Sequence, residues 1–180
     1  NPVIKNVIIK NNTVGFENEN YGNGGGGGLF LESNSSPVLN NVLIADNSAG
    51  YGGGMYIYGD PNNEIVTIDK TTITNNTANS YGGGLYLYRT NFTMTNSLIA
   101  GNTSNSNYGG GIYIHYSDSP SFINVTIANN SSTSSGGGIY VNSNNGNPTL
   151  KNSIVYHNTP NTLQGNYTIN FSDIEGGYSG

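Results

Sequence analysis

Four tyrosines at near-constant spacing, Tyr56, Tyr86, Tyr113 and Tyr140, are the side chains best placed to do chemistry, with Tyr58, Tyr88, His115 and Asn142 two residues on. Planar rings carrying hydroxyls suit stacking against, and hydrogen bonding to, a sugar chain or a protein loop. The plainer reading is a sheet stabilised by aromatic neighbours, at about 0.2–1 kcal/mol per pair. Catalysis has less to draw on. Ten acids and five cations are scattered along the chain, whereas polyuronate cleavage needs clustered carboxylates with calcium or a positioned base. Only Arg89, His115 and Asp118 converge at equivalent places in neighbouring repeats. His115 and His157 stand far apart with no cysteine between them, which argues against zinc. The run Asp60-Pro61-Asn62-Asn63-Glu64 sets Asp60, Asn62 and Glu64 at the alternate positions of a calcium loop, without its glycine or remaining ligands. A solvated turn explains it as well.

The elements that carry these residues repeat. A Gly-Gly-Gly triplet precedes an apolar–aromatic–apolar strand five times, in GGGLFL, GGGMYI, GGGLYL, GGGIYI and GGGIYV, and the third glycines, Gly28, Gly54, Gly84, Gly111 and Gly138, recur every 26 to 30 residues. No GK[ST] follows and no helix begins there, so these are not phosphate loops. A second motif, as in NVLIADN or NVTIANN, ends at Asn12, Asn47, Asn76, Asn102, Asn130 and Asn158. Upstream of each is a short segment with a fixed apolar position: Ile4, Leu39, Ile68, Met94, Phe122 and Leu150. Periods of this length mark solenoids.

Alternation with period two buries one face of each strand. The buried columns are predicted to be Ile9, Ile44, Ile73, Ile99, Ile127 and Val155, together with the Leu29/Leu31, Met55/Ile57, Leu85/Leu87, Ile112/Ile114 and Ile139/Val141 pairs. The tyrosines between them are then predicted to point to solvent as a stripe. Units stacked about 4.8 Å apart place like side chains over like. The fold class is therefore all-β, a right-handed parallel β-helix of six to seven coils of about 27 residues, in one domain over 1–180. Helix is excluded by the 27 glycines and abundant asparagines, which suit left-handed corners and, for stacked asparagines, a hydrogen-bonded ladder. A lone coil buries too little to offset its ordering entropy, so stability must come from coil-on-coil pairing.

A charged fraction of 8% and a net charge of −5 leave no basic surface for nucleic acid. No run of 18 apolar residues provides a membrane-spanning helix, and the absence of cysteine suits an exported protein. The chain is expected to be a segment of a longer polypeptide, or a subunit stacking end to end through the coils 2–12 and 150–170. A glycine-rich insertion over 16–28 lengthens the first coil.

The paired signals GGG[ILM] and [IV]xxN resemble the GGA[ILV] and FxxN repeats of the polymorphic membrane proteins and, more broadly, right-handed β-helix repeats of secreted and surface-anchored bacterial proteins. The chain departs from the former in Gly for Ala and Ile for Phe, and carries no autotransporter barrel. The resemblance implies an extracellular or cell-surface location and an adhesive, glycan-associated or scaffold role, and supplies no catalytic residues. Three classes of function stand: a surface module binding glycan or protein through Tyr56, Tyr58, Tyr86, Tyr88, Tyr113, His115 and Tyr140; a structural stalk or filament element; and a polysaccharide lyase or hydrolase, which rests on fold analogy alone.

Overall fold

The computed structural model describes residues 2–15, 25–32, 36–59, 65–117, 119–142 and 147–177. Their regular structure is entirely β. The coil that begins at Ile65 shows the plan, with strands Ile65–Asp69, Thr72–Thr74, Thr77–Tyr81 and Leu85–Tyr88. Each pairs in parallel with its equivalents in the coils on either side. The result is three sheets of twelve, four and six strands.

Left-handed residues set the corners. In the twelve-stranded sheet, Val38–Ala45 is a single strand that pairs with both Ile65–Asp69 and Thr72–Thr74. Beyond it the sheet divides into two limbs, with Lys70, Asn96, Asn124 and Asn152, φ near +50°, between the two strands of each later coil; Asn41, at the equivalent place within Val38–Ala45, is left-handed too, with φ +55°. A second column of such corners, Asn75, Gly101, Asn129 and His157, leads into the ladder asparagines. Asparagine predominates because it enters this region at less cost than other non-glycine residues.

Among the described residues, four turns, starting at Val38, Ile65, Asn91 and Ser121, contribute to all three sheets. The expected six to seven coils therefore overstates the complete turns. Val3–Lys10 and Leu29–Glu32 on one side, and the strands after Thr149 on the other, add partial turns that lack a strand in the four-stranded sheet.

Stacking puts like over like inside. Ile44, Ile73, Ile99, Ile127 and Val155 are fully buried in one column, and Leu39, Ile68, Met94, Phe122 and Leu150 in another. Met55, Leu85, Ile112 and Ile139 close the third wall.

Among these apolar columns runs one buried polar one. The backbone N–H and the Nδ2 of Asn76 both donate to Asn102 Oδ1, at 2.9 and 3.0 Å. Asn102 in turn donates from Nδ2 to Asn130 Oδ1 at 2.9 Å and back to the Ile73 carbonyl at 3.0 Å. The same pattern links Asn12, Asn47, Asn76, Asn102, Asn130 and Asn158. Each interior amide thus makes the two donations and two acceptances that its chemistry allows, which is what lets a polar side chain be buried without a desolvation penalty.

The glycine triplet makes room for this ladder. Its first glycine is left-handed, as at Gly52 with φ +54°. A Cβ on the second would strike the next coil's backbone, 2.4 Å from the Thr77 carbonyl in the case of Gly53. One on the third would meet both the next coil's carbonyl and the ladder: at Gly84 it lies 2.7 Å from Gly111 O and 3.0 Å from the Asn102 amide.

On the outside, Asp69 accepts from Asn40 Nδ2, Thr95 Oγ1 and Asn96 Nδ2 at 2.7–2.9 Å. The bonds from Asn96 and Thr95 hold its carboxyl below the ordinary value of 3.8. A depressed folded value stabilises the fold above the unfolded pKa and is lost as pH falls through the folded one. Asp69→Asn is therefore expected to reduce the fall in melting temperature below about pH 4.

For the ladder, Asn102→Ala leaves several buried groups without partners at about 1–3 kcal/mol each, and a loss of about 3 kcal/mol or more is expected by urea denaturation. Asn129→Ala, at an exposed left-handed corner, is expected to cost only about 1–2 kcal/mol in the same measurement.

Candidate functional site: a tyrosine slab on the glycine-led sheet

Strands Leu29–Glu32, Met55–Tyr58, Leu85–Tyr88, Ile112–His115 and Ile139–Val141 align so that Phe30, Tyr56, Tyr86, Tyr113 and Tyr140 form one column and Glu32, Tyr58, Tyr88 and His115 another. Alternation places the first column on the face opposite the apolar interior.

Over its central strands that face is not open to solvent, although Phe30 at one end is 39% exposed. Tyr56, Tyr86 and Tyr113 retain only 1%, 2% and 4% of their surface. The expected solvent-facing stripe is thus corrected at these three positions. The reason is a column that the sequence reading passed over, Tyr51, Tyr81 and Tyr108, each directly before a glycine triplet. The left-handed first glycine folds this residue back beside the following strand, and its ring packs on the next coil's tyrosine: Tyr81 on Tyr113 at 4.7 Å and Tyr108 on Tyr140 at 4.4 Å. The YGGG spelling was the available signal.

The rings also cover one another. Tyr56 and Tyr86 stack at 4.7 Å with planes 6° apart, and Tyr58 and Tyr88 at 5.0 Å and 13°. The slab mixes such stacked pairs, Tyr113 and Tyr140 among them at 13°, with edge-to-face contacts, Tyr86 against Tyr113 at 73° and Tyr88 against His115 at 77°. Half-buried Tyr58, Tyr88 and His115 and exposed Tyr116 form its accessible border. Tyr140, half-buried, lies where the slab thins toward the last coils.

Polar atoms knit the slab together. Tyr86 OH lies 3.0 Å from His115 Nδ1, and Asn142 Nδ2 donates to Tyr113 OH at 3.3 Å. Burial pushes the Tyr113 phenol up to about 12, outweighing the hydrogen bond from Asn142. Burial, with Tyr108 beside it, also raises Tyr140. The same loss of hydration lowers the His115 imidazole, which favours its neutral form.

Asp118 and the calcium-loop positions Asp60, Asn62 and Glu64 lie outside the described residues. Among the described residues, no three His, Cys, Asp or Glu side chains gather as a metal site would need. Two recesses lie away from the slab. One of about 570 Å³ sits between the 157–163 segment and the 174–177 segment; the other, of about 410 Å³, lies along the corner at Asn6, Asn41 and Lys70.

In a spectrophotometric titration, Tyr113 is expected to ionise near pH 12, and Tyr113→Phe to remove a step there. The unfolded phenol ionises at 10.0, so between that value and about 12 the unfolded chain has lost a proton that the folded chain keeps. Stability present below pH 10 is therefore lost as pH rises through this window.

The family model for right-handed β-helix regions matches residues 27–176. That span includes the four complete turns, the ladder from Asn47 to Asn158 and the tyrosine slab. No curated protein and no solved structure matches the chain. Coil-on-coil parallel pairing, the buried asparagine ladder and the family match over most of the sequence agree, and the chain belongs to the right-handed β-helix family.

Proposed function

We propose that the chain is a non-catalytic, extracellular or cell-surface module of scaffold or adhesin type, which recognises glycan or protein along one lateral edge. The family holds enzymes and non-enzymes alike, so the choice rests on side chains. The observation that carries the reading is the sameness of the coils: outward positions repeat from turn to turn, as in the hydroxyl column Ser48, Thr77, Thr103 and Ser131. An active site gathers unlike groups at one point. A repeated surface suits a repeated ligand. The resemblance of the repeats to those of surface-anchored bacterial proteins supports the location.

The recognition edge in this reading is Tyr58, Tyr88, His115 and Tyr116, where aromatic side chains keep solvent contact. The test is a glycan array with the purified chain. Saturable binding to a class of polysaccharide is expected, and Tyr88→Ala should weaken it about tenfold, in line with about 0.5–1.5 kcal/mol for an aromatic contact. Release of reducing or unsaturated ends from a polyuronate would establish an enzyme instead.

A second reading, as a stalk or filament element, is favoured by the outermost strands: among the described residues, Val3–Lys10 pairs only with Val38–Ala45, and Thr168–Asn170 only with Thr149–Lys151. Such edges can take another coil, from a longer chain or a second copy. Light scattering that rises with concentration, together with silence on the array, would select it.

A further inference from the structure

The chain has 14 tyrosines, no tryptophan and no cysteine, and its two methionines, Met55 and Met94, are fully buried in the solenoid interior. Its readily oxidised side chains within reach of solvent are therefore tyrosines.

Tyr86 is the hub of their contacts. Its ring centre lies 4.7 Å from Tyr56, 5.1 Å from Tyr113, 5.9 Å from Tyr51 and 6.3 Å from Tyr88. A ring nitrogen also lies at its hydroxyl, His115 Nδ1 at 3.0 Å, and it is a base there in the tautomer that carries its proton on Nε2. A phenol that loses an electron becomes a strong acid, so a proton acceptor already in hydrogen-bond contact lowers the barrier to its oxidation. Burial keeps the His115 ring neutral and able to accept. A path to the surface exists: Tyr116, 44% exposed, lies 5.8 Å from Tyr88, which borders Tyr86.

The geometry points to a redox role beyond ligand recognition: Tyr86 and His115 form a proton-coupled one-electron oxidation site, fed through Tyr116 and Tyr88, that quenches small radical oxidants of the azidyl or peroxyl class. In the net step the oxidant gains one electron and becomes its anion. Tyr86 supplies that electron, and its O–H bond breaks as the proton passes to His115 Nδ1. The products are the oxidant anion, a neutral phenoxyl on Tyr86 and a protonated His115, so charge and atoms balance. With only 2% of its surface exposed, the Tyr86 ring is out of reach of a second radical and cannot couple to form dityrosine between molecules.

The experiment is pulse generation of azidyl radicals in a solution of the chain, followed by rapid-freeze electron paramagnetic resonance. A persistent tyrosyl signal is expected in the wild type. Tyr86→Phe, which keeps the stacked ring and removes only the hydroxyl, should abolish it. His115→Gln should slow its formation on the order of 100-fold, the low end of what a positioned base contributes. Tyr156→Phe, on an exposed tyrosine distant from the slab in sequence, should leave it unchanged. Melting curves of each variant establish that it is folded, and either slab variant alone decides the matter. An undiminished signal in Tyr86→Phe, unaltered kinetics in His115→Gln, or decay into dityrosine as fast as in urea-unfolded chain would overturn the assignment.

Discussion

Every coil sits one strand spacing above the last, and that constraint governs the rest of the structure. A side chain in such a stack is surrounded above and below by the same position in its neighbours, so each residue type must be able to pack against itself. Isoleucine and leucine do so by dispersion. Asparagine does so by matching its own donor to its own acceptor, which is why an amide can occupy a dry column in which an unmatched polar group would be ruinous. The glycine triplets follow from the ladder, since a Cβ on the third glycine would occupy the place of the asparagine amide. The tyrosine slab follows from the glycines, because the left-handed turn at the first of them brings Tyr51, Tyr81 and Tyr108 back over the next strand.

Much of this was legible in the residues alone. Period-two alternation sorted Ile44, Ile73, Ile99 and Ile127 to the interior without ambiguity, since a strand offers only two faces. The repeat length and the left-handed tolerance of Asn and Gly gave the solenoid and its corners. The slab was misread for a physical reason. Alternation says which face of a sheet a side chain leaves from, but not what lies on that face, and Tyr56, Tyr86 and Tyr113 leave from the outer one only to be roofed by other tyrosines. Roofing depends on the path of the chain through the glycine turn, a three-residue event that no periodicity records. The number of complete turns was overstated for a related reason: counting motifs credits a coil with every face, whereas the end coils supply only some.

Membership of the right-handed β-helix family assigns the scaffold and leaves its decoration to carry the function. Here the decoration is unusually uniform in chemistry: hydroxyls on the four-stranded sheet, amides and threonines along the corners, and phenols on the glycine-led sheet. Repetition of this kind spreads any interaction along the axis. It also confines the distinctive features to a few breaks in the pattern, of which His115 within a column of tyrosines is the clearest.

The ladder also has a sense of direction. From Asn12 to Asn130 each amide offers a hydrogen to the oxygen of the amide in the following coil, so the side-chain dipoles lie head to tail, as peptide dipoles do in an α-helix. Their partial charges cancel along the length, and at Asn158 the amide hydrogens turn to the carbonyls of Ile127 and Tyr156. The solenoid is thus an electrical arrow as well as a stack. Whatever continues it, whether a further coil or another molecule, can extend the series in one orientation only, because the reverse would set oxygen against oxygen or hydrogen against hydrogen.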